Sequence, residues 1–230
     1  MMKIARCVGW LGTALALWGC GTDTPAPEGD LLISGGMIVD VQRRSTTGPK
    51  DILIANGLIV EIVDHRERRS VEGIEVLDAR GLYLLPGLID VHAHIGDGGL
   101  HENDDTDRRQ ALAQFLRYGV TSIFVPGGGG GNDVQLNAWR KWCVEEKLRC
   151  PRIFGSGNII TAHGSHPIGT IWGFPDDVDP QIVFDRGAVG IAESDSVDQL
   201  IAAKLDARVD ALKIVVEDGP VGFAPKPRLS

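Results

Sequence analysis

The chain has 230 residues, 43% of them hydrophobic and 23% charged, with 30 glycines. That is the composition of a folded protein and excludes a disordered or coiled-coil chain. Lys and Arg number 23 against 31 Asp and Glu, a formal net charge of -8, so a sequence-independent grip on nucleic-acid phosphates has no electrostatic support.

Residues 1–19 read as an export signal: Lys3 and Arg6 form a basic start, and 8–18 an apolar stretch too short to span a bilayer. It closes on Leu17-Trp18-Gly19-Cys20, which resembles a bacterial lipobox, although Trp18 is larger than the residue usual there. The resemblance implies lipidation of Cys20 and membrane attachment only through that lipid. With Gly21 following the cysteine, it implies an outer-membrane lipoprotein facing the periplasm; simple cleavage to a periplasmic or secreted protein is the alternative. Residues 20–30, with Pro25 and Pro27, then read as a flexible tether.

From 31 to 85 short β-branched and Leu-rich runs alternate with turn residues, at 31–33, 37–39, 51–55, 58–63 and 74–77. This is a sheet pattern. Asn56-Gly57 stands between two of the runs and is the pair that a two-residue hairpin favours, because both positions take positive φ. After Pro86 the rhythm becomes strand, Gly-rich loop, helix, strand, the mark of βα units and a parallel sheet. Strands are expected at 88–91, 122–125, 153–154 and 211–216. Helices are expected at 106–118, at 133–148 with an apolar stripe of Leu136, Trp139, Trp142 and Cys143, and from Ser196 onward, with Val197, Leu200, Ile201 and Leu205 on the apolar face. The aperiodic stretch 161–186 reads as a long loop.

Two cysteines, Cys143 and Cys150, lie beyond the signal and lipobox. Export permits a disulfide between them, and two buried free thiols are equally compatible with the sequence. Zinc binding by this pair alone is not expected.

In His92-Ala93-His94 the imidazoles are two residues apart, so on an extended chain both point to one face and Ala93 to the other. One face can then grip one metal ion, though histidines also alternate on strands for packing. The string Pro86-Gly87-Leu88-Ile89-Asp90-Val91-His92-Ala93-His94, with Ala79-Arg80-Gly81-Leu82-Tyr83-Leu84-Leu85 before it, resembles the opening of the metal-dependent amidohydrolase superfamily. Residues 151–157 and 210–220 resemble the third and fourth strands of its imidazolonepropionase-like or dipeptidase-like branch. The resemblance implies an α/β fold: a β-sandwich segment over 31–85 and, over 86–230, the first half of a (β/α)8 barrel of TIM type, whose active site lies at the carboxyl ends of the strands. It also implies one or two divalent ions, zinc first, held by His92, His94 and Lys213, the lysine carboxylated on its amine, and hydrolysis of a carbon–nitrogen bond in a small amide, cyclic amide or dipeptide.

For Lys213 a second reading stays open, in which its stem packs and its head reaches solvent or Glu217. His163 and His166 follow the expected third strand and are candidates for substrate contact, or loop histidines bonded to backbone. The glycines of 127–131 lack the Lys-Ser/Thr of a P-loop and read as loop flexibility. The family's later histidines and its eighth-strand aspartate have no counterpart, and 86–230 is shorter than the about 250 residues of a whole barrel. The expectation is therefore a fragment truncated after the fourth strand, with no catalytic residue of its own, poor metal binding and no turnover. The rival is a non-enzymatic exported binding protein on the same scaffold. A carbohydrate- or phosphate-handling barrel would want paired carboxylates or a phosphate loop.

Overall fold

The structure, a computed structural model, describes residues 29–66, 73–95, 104–128, 131–175, 177–192 and 194–216. The expected signal, Cys20 and nearly all of the tether lie outside the described residues, as do Gly129, Gly130 and Glu217. The chain divides into two compact units, Met1–Leu85 and Pro86–Ser230.

The first unit is one five-stranded sheet of β1 (Leu31–Asp40), β2 (Ser45–Ala55), β3 (Leu58–Asp64), β4 (Glu75–Asp78) and β5 (Tyr83–Leu84), in the order β3-β2-β1-β4 with β5 also on β1. Strands β1, β2 and β3 run antiparallel, and β4 and β5 pair parallel to β1. The Asn56-Gly57 hairpin is present: φ is 51° and 73° and Ala55 pairs with Leu58, the positive φ at both positions that its turn demands. The runs 31–33 and 37–39, expected as separate strands, form one strand, because register shifts around Gly36 carry the chain through by a bulge instead of a turn. A second sandwich layer is not among the described residues.

Leu32 and Leu53 are fully buried here, and so is Asp51. Asp51 Oδ1 accepts from Ser34 Oγ at 3.0 Å and Gly35 N at 3.0 Å and pairs with His65 Nδ1 at 2.8 Å; Oδ2 accepts from Arg66 N at 3.3 Å. Burial pushes the carboxyl up, but these bonds, that to His65 foremost, outweigh it and hold Asp51 below its ordinary value.

The second unit alternates β6 (Leu88–Asp90), α1 (Asp105–Arg117), β7 (Val120–Val125), α2 (Asp133–Val144) and β8 (Arg152–Gly155), followed by β9 (Ile159–Ala162), α3 (Pro180–Asp185), β10 (Ala188–Ile191) and α4 (Val197–Asp206). Strands β6, β7 and β8 form a parallel sheet in that order, and β9 and β10 a second parallel pair. The helices start where side chains can satisfy free amides: Asp104, Asn132 and Ser196 accept from the amides of Asp107, Gln135 and Gln199. Leu112, Ile123, Val125, Leu136, Trp139, Trp142 and Ile153, with Ala93 and Ile95, make the main core; Ile159, Ile168, Val183 and Ala188 make a smaller one. Cys143 and Cys150 are joined by a disulfide, their Cα atoms 5.9 Å apart.

Three expectations need correction. The strand expected over 211–216 is a single parallel bridge, Ile160 to Ile214. Its backbone bonds to β9 meet at one residue, Ile160 N donating to Lys213 O and Val215 N to Ile160 O, while Asp210 N just before it donates to Gly155 O on β8, so no longer ladder forms. The stretch 161–186 is not all loop, since β9 ends inside it and α3 closes it, a six-residue helix too short to show a period and started by Asp179-Pro180. On α4 the expected apolar face holds at Leu200 and Ile201, which are half-buried, but Leu205 is 71% exposed and Val197 63%, and Lys204 at 2% takes an inward place. The described residues of the second unit hold open parallel sheets, not a closed barrel.

Candidate functional site

The apolar run of β6 ends at Asp90, whose Oδ1 accepts from His92 N at 3.0 Å and turns the chain out of the sheet. Ala93 N still donates to Phe124 O at 2.9 Å, so alternation persists past the strand: Ala93 and Ile95 are buried in the core, and His92 and His94 face the other way. Their ring centroids are 5.3 Å apart with the planes at 62°. Burial first, and then the positive charges of His92 and Lys213, lower His94 from the ordinary imidazole value, which favours the neutral ring, the form with a lone pair for a metal ion.

His92, His94, His166 and Lys213 open onto one cleft of about 400 Å³. Its remaining walls are Pro126, Gly127, Ile159, Ile214, Val215 and Val216. Two imidazoles and an amine from opposite ends of the unit's sequence thus share one hollow, and no carboxylate lines it among the described residues. A gathering of three or more His, Cys, Asp or Glu side chains suited to a metal ion does not occur among the described residues; Lys213 adds an amine to the cleft beside the imidazoles. His166 Nδ1 lies 2.8 Å from Thr170 Oγ1. His163 lines a different cavity of about 220 Å³, with Gln181, Phe184 and Val189; the structure separates the two loop histidines.

The glycine loop after β7 is a packing device. A Cβ on Gly187 would stand 2.9 Å from Gly128 N, and one on Gly127 would collide with Gly157 O, while φ is 83° at Gly127 and 96° at Gly187. Main chain meets main chain there, which only glycine permits.

Sequence reasoning missed a buried polar knot behind the cleft. Lys204 Nζ donates to Asp133 Oδ1 at 2.8 Å, Asn158 O at 2.7 Å and Ser156 O at 3.4 Å. Asp133 Oδ1 also accepts from Asn158 N at 2.8 Å, and Asn158 Oδ1 from Asp133 N at 2.9 Å. The signal was available: Lys204 sits at helical spacing from Val197, Leu200 and Ile201, where an apolar residue would be expected.

No family model matches the sequence. The dihydroorotase of Trichlorobacter lovleyi is 38% identical over 144 residues, which are 62% of this chain and 30% of that protein. The dihydropyrimidinase of Dictyostelium discoideum is 33% identical over 126 residues, 53% of this chain and 24% of that protein. Among solved structures, a prolidase in complex with N-methylphosphonate-L-proline shares the fold with a TM-score of 0.68 at 20% identity, over 87% of this chain and 50% of that one. A Xaa-Pro dipeptidase with bound methionine does so with a TM-score of 0.61 at 23% identity, over 85% and 50%. The chain thus spans about a third or less of these curated relatives and half of these solved structures. Over the part that it shares with them, the chain is similar in sequence to dihydroorotases and a dihydropyrimidinase and in fold to prolidases and an amidohydrolase, which supports its resemblance to the amidohydrolase superfamily.

Proposed function

We propose that the protein serves metal-dependent hydrolysis of a carbon–nitrogen bond in a small amide, cyclic amide or dipeptide, with His92, His94 and Lys213 holding one or two divalent ions. The convergence of these three side chains on one cleft carries the reading. The donor set fits: imidazole suits zinc, and His94 is held in its neutral form. Carboxylation would turn the Lys213 amine into an anionic oxygen donor. A bound ion would supply a Lewis acid for the scissile carbonyl and lower the pKa of a water. Ile159 and Ile214 offer substrate an apolar wall and His166 a polar group beside it. In this reading the second unit is the opening part of a (β/α)8 barrel, supported by apolar side chains left exposed on both outer segments, Ile89 at 68% and Ile214 at 53%.

The test is metal analysis of the purified chain after exposure to zinc and bicarbonate. One or two weakly held ions per chain, lost in His92→Ala, are expected. A chain that retains no ion, or a His92→Ala variant that retains as much as the parent, would favour the non-enzymatic binding protein. No turnover of a dihydropyrimidine or a prolyl dipeptide is expected of the purified chain, since no carboxylate lines the cleft among the described residues, and metal-dependent hydrolysis of either would overturn that expectation. Export as a Cys20-lipidated protein belongs to the same proposal, and fatty-acid labelling that persists in Cys20→Ser would refute it.

A further inference from the structure

We infer that Lys204 is a positioning residue for the cleft: with Asp133 it locks 156–158, and thereby sets β9 and, through β9, the main chain that carries Lys213. This rests on the proposed function for its meaning and on geometry for its substance.

Lys204 is 2% exposed and Asn158 fully buried. The ammonium spends its three donors on one carboxylate and two carbonyls, a complete set of partners for a buried cation. Burial pushes its pKa down, and the Asp133 carboxylate partly restores it. Both carbonyls belong to the link between β8 and β9, and Asn158 is followed directly by Ile159, a wall of the cleft. The next residue, Ile160, donates N–H to Lys213 O at 2.8 Å and accepts from Val215 N at 2.9 Å. With the bridge to Ile214, these are the contacts that seat the Lys213 segment on β9. The chain of support therefore runs from Lys204 to 156–158, Ile160 and Lys213. Without the ammonium, Ser156 O and Asn158 O lose their donor and Asp133 keeps an uncompensated charge against the loop.

Amide hydrogen exchange on the full chain decides the matter. Lys204→Met keeps stem volume and helix propensity and removes the three bonds. Leu112→Ala, in the main core on α1, serves as a destabilised control chosen to be remote from the knot. Relative to that control, Lys204→Met should speed exchange at Ile160 and Val215 at least tenfold while Phe124 on β7 is unaffected. In zinc titrations the same variant should bind at least tenfold more weakly than the parent. Equal exchange at Ile160 and Val215 in the two variants would overturn the inference, as would a zinc affinity of Lys204→Met equal to that of the parent. If exchange changes as expected and the parent binds no zinc, the proposed function fails and the positioning role stands.

Discussion

Replacing Asp51 by asparagine removes one negative charge and one acceptor from the buried centre of the first unit with almost no change in shape. With the amide oxygen in the Oδ1 position, the bonds from Ser34, Gly35 and His65 survive with a neutral acceptor, and the amide nitrogen confronts Arg66 N–H. A hydrogen bond to a charged partner contributes about 1 kcal/mol more than a neutral one, and a donor left unpaired costs about 1 kcal/mol. Allowing for non-additivity in a shared cluster, the loss comes to about 3 kcal/mol at pH 7, roughly a hundredfold in an opening equilibrium. The assay is amide exchange at Ile33, Ile52 and Leu53, which reads this sheet locally. The sign with pH follows from the depressed carboxyl. Its contribution is fully present above the unfolded value, near 3.8, and fades as pH falls through the lower folded value. Parent and variant should therefore differ fully at pH 7 and converge in acid. A protection loss below about fivefold at neutral pH, or a gap that widens in acid, would refute the account of Asp51 as the ionised hub of the sheet.

Trp139 is 1% exposed in the main core, so Trp139→Ala should cost about 3–5 kcal/mol in urea denaturation of the second unit. Cys143→Ser opens a loop of sequence separation 7 and should lower stability by about 2.5 kcal/mol, with reductant reproducing the effect in the parent. Gly187→Ala meets both a φ of 96° and Gly128 N and should cost about 2 kcal/mol or more. Gly57→Ala has a φ of 73° and open space around the new methyl, so it should cost about 1 kcal/mol. Melting temperatures that fall equally in these two glycine variants would contradict the close-approach argument.

Local signals were legible in the sequence and long-range ones were not. Asn56-Gly57 predicts its hairpin because the demand for positive φ is met by the residues themselves. The alternation in His92-Ala93-His94 places both rings opposite the core because it is a property of extended chain. Lys213 needed the comparison of strand positions across a whole domain, and the structure brings it to the histidines' cleft by a bridge to β9, a strand that the turn-rich stretch after it concealed. His163 and His166 differ by three positions and enter different cavities, a divergence set by loop path that no spacing rule encodes. Lys204 broke the apolar face of its helix in plain view, but its partners Asp133 and Asn158 are distant in sequence, so the anomaly had no local resolution.

The glycine contacts beside the cleft bear on how such a site can diversify. Where Gly127 and Gly187 bring backbone against backbone, the mutational space is nearly closed, since any side chain must first move main chain. Under the proposed function, adaptation to a new substrate would fall to Ile159, His166, Ile214 and Val216, which line the cleft with replaceable side chains. A library directed at those four positions explores selectivity; one directed at the glycines mostly explores misfolding.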